Sequence, residues 1–290
     1  MPELPEVETI VRHLRRDIGG KRIARSRLLW ERLVAAPTSD RFVRHLPGRR
    51  IVAIDRRGKY ILIHLDDGYY WIIHLRMTGR FRYLPPGTED AEERHLRFVA
   101  RFDDGSSLRF INPRKFARFY LVPRAEMIVG HLGLEPLSVD FTAEALAEAL
   151  RHRRQAIKPL LMGQAVVAGL GNIYTCEALW RAGIDPRAAA STLTTEEIEA
   201  LREAIVAVLL AAIRRGGSTL GDGQYLTPDG ARGEAQEALG VYGKAGQPCP
   251  RCGTPIIRFV QGGRSTYACP HCQGIVEANE KPHPKVEPGR

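Results

Sequence analysis

The sequence predicts an α+β multidomain chain: an N-terminal β-sandwich carrying one helix, a helical domain after it, and a small C-terminal β-hairpin module. Three observations predict it. Short β-patterned runs fill residues 1–130, helical periodicity replaces them beyond about residue 140, and two close cysteine pairs frame a hairpin pattern between residues 249 and 272. At 290 residues and 44% hydrophobic, the chain is long enough for two or three packed units, each with its own core.

The first unit, residues 1–130, opens with a helix from Pro5 to Ile18. Val7, Ile10, Val11, Leu14 and Ile18 share one face, Glu8, Arg12, Arg15 and Arg16 the other, and Gly19-Gly20 ends the run. Strands are expected at Ile51–Asp55, Tyr60–Leu65, Tyr70–Leu75, Leu96–Phe102, Ser107–Ile111 and Phe116–Val122. Asp-Asp-Gly turns at 66–68 and 103–105 join neighbouring runs as hairpins. Around residues 131–140 the pattern loses its period, with Gly133 and Pro136 as breakers, and this is expected as a linker.

A helical domain is expected over 141–240. Leu146, Leu150 and Ile157 begin it, and Asn172–Ala182 is a helix closed by Gly183. Thr194 and Glu197 form a capping box for a long helix that stops at Gly216-Gly217. From 218 to 240 glycine is frequent, which predicts a mobile loop. The cysteine module spans 241–277, and the proline-containing end, 278–290, reads as a disordered tail.

The net charge of +10 is unevenly placed. Residues 1–130 hold 26 Lys and Arg against 16 Asp and Glu, whereas the remainder holds 17 of each. Such a field favours a polyanion, nucleic acid foremost, although a basic surface alone also suits an anionic membrane. The longest apolar run, Ala204 to Ile213, is ten residues, about half of the roughly 20 that span a bilayer. Three glutamates among the first eight residues argue against a secretion signal, so the expected compartment is the cytoplasm.

Cys249-Pro250-Arg251-Cys252 and Cys269-Pro270-His271-Cys272 are two C-x-x-C knuckles separated by sixteen residues, the spacing that lets four thiolates surround one structural Zn2+. A closed four-sulfur site leaves no position for water, so the metal serves folding, not catalysis. His271 reads as a bystander and Cys176 as a small buried apolar residue. Ile256–Gln261 and Arg264–Ala268 read as strands joined by Gly262-Gly263, with Arg264 at the tip, suited to phosphate or simply solvated.

Pro2 carries a second candidate chemistry. If Met1 is removed, its ring nitrogen becomes a free secondary amine. A terminal amine, with a reference pKa near 7.8 against roughly 10.4 for lysine, is the readier Schiff-base former at neutral pH. Glu3 and Glu6 can serve the proton transfers. These six residues alone favour a plain chain end, with Pro5 opening a helix. Lys59, after Arg56-Arg57-Gly58, either approaches that amine and lowers its pKa or is surface charge. Gly169-Leu170-Gly171-Asn172 at a helix entry either faces a phosphate, with Asn172 as an added donor and Lys158 within reach, or is punctuation. Met77 and the Asn112-Pro113-Arg114-Lys115-Phe116 excursion are either core or apolar wedges beside an arginine, the equipment for unstacking a base pair.

Taken together, Met1 to Glu8, Gly169-Leu170-Gly171-Asn172-Ile173-Tyr174, Val241-Tyr242-Gly243 and the double knuckle resemble, in order and spacing, the bacterial formamidopyrimidine-DNA glycosylases over essentially residues 1–275. The resemblance implies a β-sandwich, a helix-two-turn-helix domain and a zinc finger, with double-stranded DNA containing oxidised bases or abasic sites in the cleft of a monomer. It implies that Pro2 attacks C1′ of the damaged nucleotide, that Glu3 is the general acid/base at the sugar, and that Glu6 and Lys59 support the site. It further implies phosphate contacts from Lys59, Lys158, Asn172, Tyr242 and Arg264, and a gap-filling trio of Met77, Arg114 and Phe116. The expected reaction is excision of oxidised purines followed by abasic-site lyase β,δ-elimination.

Two other readings stand beside this one. An endonuclease VIII-like enzyme would remove oxidised pyrimidines, and a non-catalytic zinc-containing protein would only bind DNA. Leu4 and the Pro-Arg-Lys-Phe element favour the purine branch, and the intact Pro2, Glu3, Glu6 and Lys59 argue against a mere binder. One departure from the family is Ala231-Arg232-Gly233-Glu234-Ala235, which stands where relatives often carry an aromatic pair.

Overall fold

The computed structural model describes residues 1–88, 93–221 and 223–275. The expected tail, 278–290, lies outside the described residues, as do the last two residues of the expected zinc module.

Helix α1 (Leu4–Ile18) opens the chain and is followed by β1 (Ile23–Leu28), β2 (Val34–Ala36) and α2 (Ser39–His45). Seven more strands complete the first unit: β3 (Ile51–Arg57), β4 (Tyr60–Leu65), β5 (Tyr70–His74), β6 (Arg80–Leu84), β7 (Leu96–Phe102), β8 (Ser107–Ile111) and β9 (Arg118–Val122). They form a four-stranded sheet, β1-β7-β8-β6, facing a five-stranded sheet, β2-β9-β5-β4-β3. Pairing is antiparallel except between β2 and β9. Both Asp-Asp-Gly turns join paired strands, β4 to β5 and β7 to β8.

An aromatic cluster fills the space between the sheets. Phe119 on β9 lies with its ring centroid 4.8 to 6.5 Å from those of Phe42, Trp71, Phe81, Phe98 and Phe110, and all six side chains are fully or almost fully buried. Mixed edge-on, tilted and stacked contacts of this kind suit the ring quadrupoles and fix the two sheets against each other.

After α3 (Glu126–Val129) come α4 (Ala143–Leu150), α5 (Ile157–Met162), α6 (Asn172–Ala182) and α7 (Thr195–Arg214), and then the hairpin of β10 (Ile257–Gln261) and β11 (Arg264–Ala268). The Thr194–Glu197 capping box is present at the start of α7, and Gly183 closes α6 in the left-handed conformation. Residues 131–140 contain no helix or strand, yet their Glu135 is firmly engaged, as described below.

The first helix belongs to two cores. Val7, Ile10, Val11, Leu14 and Ile18 pack into the sandwich, whereas Leu4 packs into the helical core with Ile157, Leu170, Tyr174 and Leu201. Residues 2–6 are therefore held at the junction of the two units. The sequence missed β1, β2, β6 and α2. These pieces are short, and β1 carries exposed polar residues that break the alternation. The last sandwich strand starts at Arg118, two residues later than expected, because Phe116 belongs to the exposed excursion and not to the ladder.

Candidate active site and nucleic-acid interface

The helix entry at Gly169-Leu170-Gly171-Asn172 does not offer its amides to a phosphate, contrary to one expectation. They are already taken by a carboxylate. Glu3, only 3% exposed, accepts hydrogen bonds from the backbone N–H groups of Gly171 (2.8 Å), Ile173 (3.0 Å) and Tyr174 (3.3 Å). The positive end of the α6 dipole adds to this stabilisation. Close approach dictates the glycine, since a Cβ at Gly171 would lie 2.3 Å from Glu3 Cδ. Gly169, at φ +90°, accepts from the Leu4 N–H, and a Cβ there would strike the Leu4 side chain. The glycine motif is thus the socket for the start of the chain.

Glu6 is buried one turn further on. Its Oε1 accepts from the Tyr174 hydroxyl and the Ser218 N–H (2.7 Å), and its Oε2 accepts from the Glu3 N–H (2.8 Å). Burial, with the nearby Glu3 charge, holds its carboxyl above the ordinary range despite these donors, and burial beside Glu6 raises the Tyr174 phenol well above its own. Pro2 is buried beside them, and a pocket lined in part by Pro2, Glu6, Met77, Ile173, Ser218 and Tyr225 opens at this point.

Lys59 is buried as well, not surface charge. Desolvation lowers the pKa of its ammonium, the charges of Glu3 and Glu6 oppose that shift, and Arg264 reinforces it. The turn that presents Lys59 is clamped by Glu135, whose carboxylate accepts from the Gly58 N–H (2.9 Å), Arg56 (2.6 Å) and Arg57 (3.0 Å).

Met77 sits half-buried in the turn between β5 and β6, while Arg114 and Phe116 are exposed on the loop before β9. The two loops are tied together, because Thr78 donates to Asn112 Oδ1 and accepts from the Arg114 N–H. The Arg114 guanidinium lies 5.3 Å from the centre of the Phe116 ring. The structure therefore brings the three candidate wedge residues into one region.

A second cluster forms where α5, α6 and the hairpin meet. Lys158 is 1% exposed, and its ammonium donates to Asn172 Oδ1 (2.7 Å), Thr266 Oγ1 (2.9 Å) and the Ser265 carbonyl (3.3 Å). Asn172 in turn donates to the Ser265 carbonyl (2.9 Å). Tyr242 lies edge-on to Tyr267, two residues beyond Ser265, the ring centroids 5.0 Å apart. Arg264 is exposed at the start of β11, after the two left-handed glycines, Gly262 and Gly263. Four of the expected phosphate contacts thus converge.

The Sγ atoms of Cys249, Cys252, Cys269 and Cys272 all lie within 4.8 Å of one another. Three of the separations are 3.4, 3.5 and 3.8 Å. A tetrahedron of sulfurs about 2.3 Å from zinc has edges of about 3.8 Å, whereas a disulfide needs about 2.05 Å. The donor set fits one structural zinc.

Models of three family domains match in chain order: the formamidopyrimidine-DNA glycosylase N-terminal domain over residues 1–119, the H2TH domain of the same enzymes over 132–223, and the zinc finger found in FPG and IleRS over 246–274. A formamidopyrimidine-DNA glycosylase from Roseiflexus sp. (strain RS-1) is 47% identical over 277 residues, covering 94% of this chain and all of that one. The chain belongs to the formamidopyrimidine-DNA glycosylase family. Among solved structures, the Fpg (MutM) protein of Thermus thermophilus superposes with a TM-score of 0.84 at 39% identity, covering 94% of this chain and 99% of that one. A Lactococcus lactis Fpg variant in complex with Fapy-dG DNA superposes with a TM-score of 0.86 at 36% identity, with the same coverage.

The glycosylase site also uses residues that sequence reasoning did not single out. Glu177 is buried and accepts from the N–H groups of Gly240, Val241 and Tyr242, fixing the Tyr242 segment. Ser218 and Tyr225 anchor the stretch expected as a mobile loop: the Ser218 N–H reaches Glu6, and the Tyr225 hydroxyl donates to the Gly216 carbonyl (2.9 Å). The contacts of Glu177 and Ser218 span scores of residues, so no local pattern announces them. A buried glutamate on an amphipathic helix was the one available signal, at Glu177.

Two outcomes are expected. Gly171→Ala must displace Glu3, so single-turnover excision should fall about 100-fold while circular dichroism stays native; wild-type turnover would contradict the socket. His74 is buried, accepts the Arg76 N–H on Nδ1 (3.0 Å), and its pKa is pushed down to about 3, chiefly by burial and then by Arg76 and Lys59. Its folded pKa lies below the unfolded value of 6.5, so its contribution is complete above pH 6.5 and is lost as pH falls towards 3. Urea unfolding of His74→Gln across that window should show a shallower decline, by about 4 kcal/mol at its acid end; parallel curves would contradict this.

Proposed function

We propose that this chain is a base-excision repair enzyme that removes oxidised purines from duplex DNA through Pro2 and then cleaves the abasic strand. The observation that carries the proposal is the seating of Pro2 beside two buried carboxylates, at the junction of the sandwich and helical cores. Removal of Met1 frees the prolyl nitrogen. The buried Lys59 charge favours its neutral form, so the lone pair is available to C1′ of an everted nucleotide.

Bond formation from nitrogen to C1′ expels the base. Ring opening at the sugar then leaves an iminium that is positively charged without needing a proton. That electron sink acidifies C2′, a base removes a C2′ proton, and the 3′ phosphate leaves, followed by the 5′ phosphate. Glu3 is proposed as the acid/base at the sugar, with Glu6 holding the opposite side of the pocket. The zinc, when bound, supplies only fold stability to the hairpin.

Met77, Arg114 and Phe116 are proposed to fill the gap left by eversion, which itself costs a few kcal/mol. Asn172, Tyr242 and Arg264 are proposed to grip the backbone phosphates. Lys158 adds its charge to that grip and holds Asn172 and β11 in place, since its three donors are engaged. The 218–240 stretch, anchored at Ser218, Tyr225 and Gly240, is proposed to border the damaged base.

The oxidised-purine assignment is supported by the Lactococcus lactis relative, whose structure holds Fapy-dG DNA. We further propose division of labour among 1–130 for catalysis, 141–240 for the helical DNA-binding domain and 241–277 for the zinc hairpin, in a monomer acting in the cytoplasm. Free cysteines gathered at a metal site suit a reducing compartment, and among the described residues no helix is long and apolar enough to cross a membrane.

The test compares wild type with Pro2→Gly on duplexes carrying 8-oxoguanine, a formamidopyrimidine or an oxidised thymine. Wild type should excise the two purine lesions at least about tenfold faster than the pyrimidine. Pro2→Gly should lose most excision while retaining affinity for the duplex. Preference for oxidised thymine would support the endonuclease VIII-like reading, and unchanged turnover by Pro2→Gly would remove the nucleophile.

A further inference from the structure

Trp180 stands in the last turn of α6, between the metal module and the segment that carries Tyr242. Its ring packs on the small cluster of Cys176, Val241, Cys249, Ile256 and Cys269. Its indole Nε1–H is buried without a hydrogen-bond partner, while its ring packs on a cluster that includes Cys249 and Cys269, two of the four sulfurs of the metal site. A buried indole donor without a partner is costly. A zinc-bound thiolate is a far better acceptor than a neutral thiol, so a metal-bound sulfur would satisfy this donor.

Two more contacts fasten the same side chain, and Arg251 also binds the main chain beside it. Arg251, inside the first knuckle, lies 5.7 Å from the indole ring and donates to the carbonyls of Trp180 (3.1 Å) and Arg181 (3.2 Å), neutralising the C-terminal end of α6. On its other side the ring abuts Gly240, where a Cβ would lie 2.2 Å from Trp180 Cζ3. Gly240 is also the first of the three residues whose N–H groups are held by Glu177. One side chain therefore touches the metal knuckle, the helix end and the start of the Val241-Tyr242-Gly243 segment.

We propose that Trp180 is a positioning residue of the metal centre, donating its indole N–H to the Cys249 thiolate and carrying the position of the knuckle to Gly240 and so to Tyr242. Neither the family assignment nor the proposed reaction requires this coupling. Partners outside the metal ligands typically tune metal affinity by about 10–100-fold.

The experiment uses the full-length holoprotein in three forms: wild type, Trp180→Phe, and a variant in which Trp180 is replaced by benzothienylalanine, which keeps the bicyclic shape but has sulfur in place of N–H. Zinc transfer to a chromogenic chelator should be about 10–100-fold faster in both variants. In the cobalt-substituted proteins the thiolate-to-metal charge-transfer band should move to lower energy in both, because loss of the donor raises the sulfur lone pair. The benzothienylalanine form separates donation from packing. If its release rate and cobalt band match wild type, the hydrogen bond is absent and the proposal fails, even where Trp180→Phe is impaired.

Discussion

The structure depends on one buried electrostatic contact, the Glu3 carboxylate set on the N-terminal amides of α6. Burying an ionised carboxylate alone costs many kcal/mol, but three backbone N–H donors and the helix dipole replace the lost water. The contact also spans the molecule, since Glu3 starts a helix of the sandwich unit and α6 is central to the helical unit. It therefore fixes the start of the sandwich helix against the helical unit and the place of Pro2 at the pocket. Gly171 and Gly169 are the sequence's concession to that approach, because a side chain at either position would push the chain start away.

The same device recurs nearby. Glu6 takes the Ser218 and Glu3 N–H groups, Glu135 takes the Gly58 N–H and two arginines, and Glu177 takes three successive N–H groups at 240–242. Each carboxylate immobilises an irregular segment that carries a functional side chain or borders the pocket: Ser218, Lys59 and Tyr242 respectively. Loops have few neighbours to order them, and a charge-assisted hydrogen bond to the backbone holds position without relying on packing.

Much of this was legible in the sequence because it is local. The α1 periodicity, the Tyr60–Leu65 and Ser107–Ile111 strands, the Thr194 capping box, the Gly183 helix end and the double knuckle all depend on spacings of a few residues, and each stands where it was expected. Readings that failed needed distant information. The amides at Gly171 were offered to phosphate because nothing near them in sequence shows that Glu3, 168 positions earlier, arrives first. Lys59 and Lys158 had solvated alternatives for the same reason, since burial of a lysine is decided by what folds over it. Arg114, Phe116 and Met77 were ambiguous as isolated residues, and only the Thr78 bridge between their loops makes them neighbours.

The central claim is that the seated amino end, not a lysine, makes the covalent bond to DNA. Lys59 is the competitor built into the site, since burial lowers its pKa beside the same carboxylates. Peptide mapping by tandem mass spectrometry of the borohydride-reduced enzyme–DNA complex distinguishes them directly. The account predicts a reduced sugar remnant on the nitrogen of Pro2, in chains that have lost Met1. A remnant on Lys59, with Pro2 unmodified or still preceded by Met1, would contradict it.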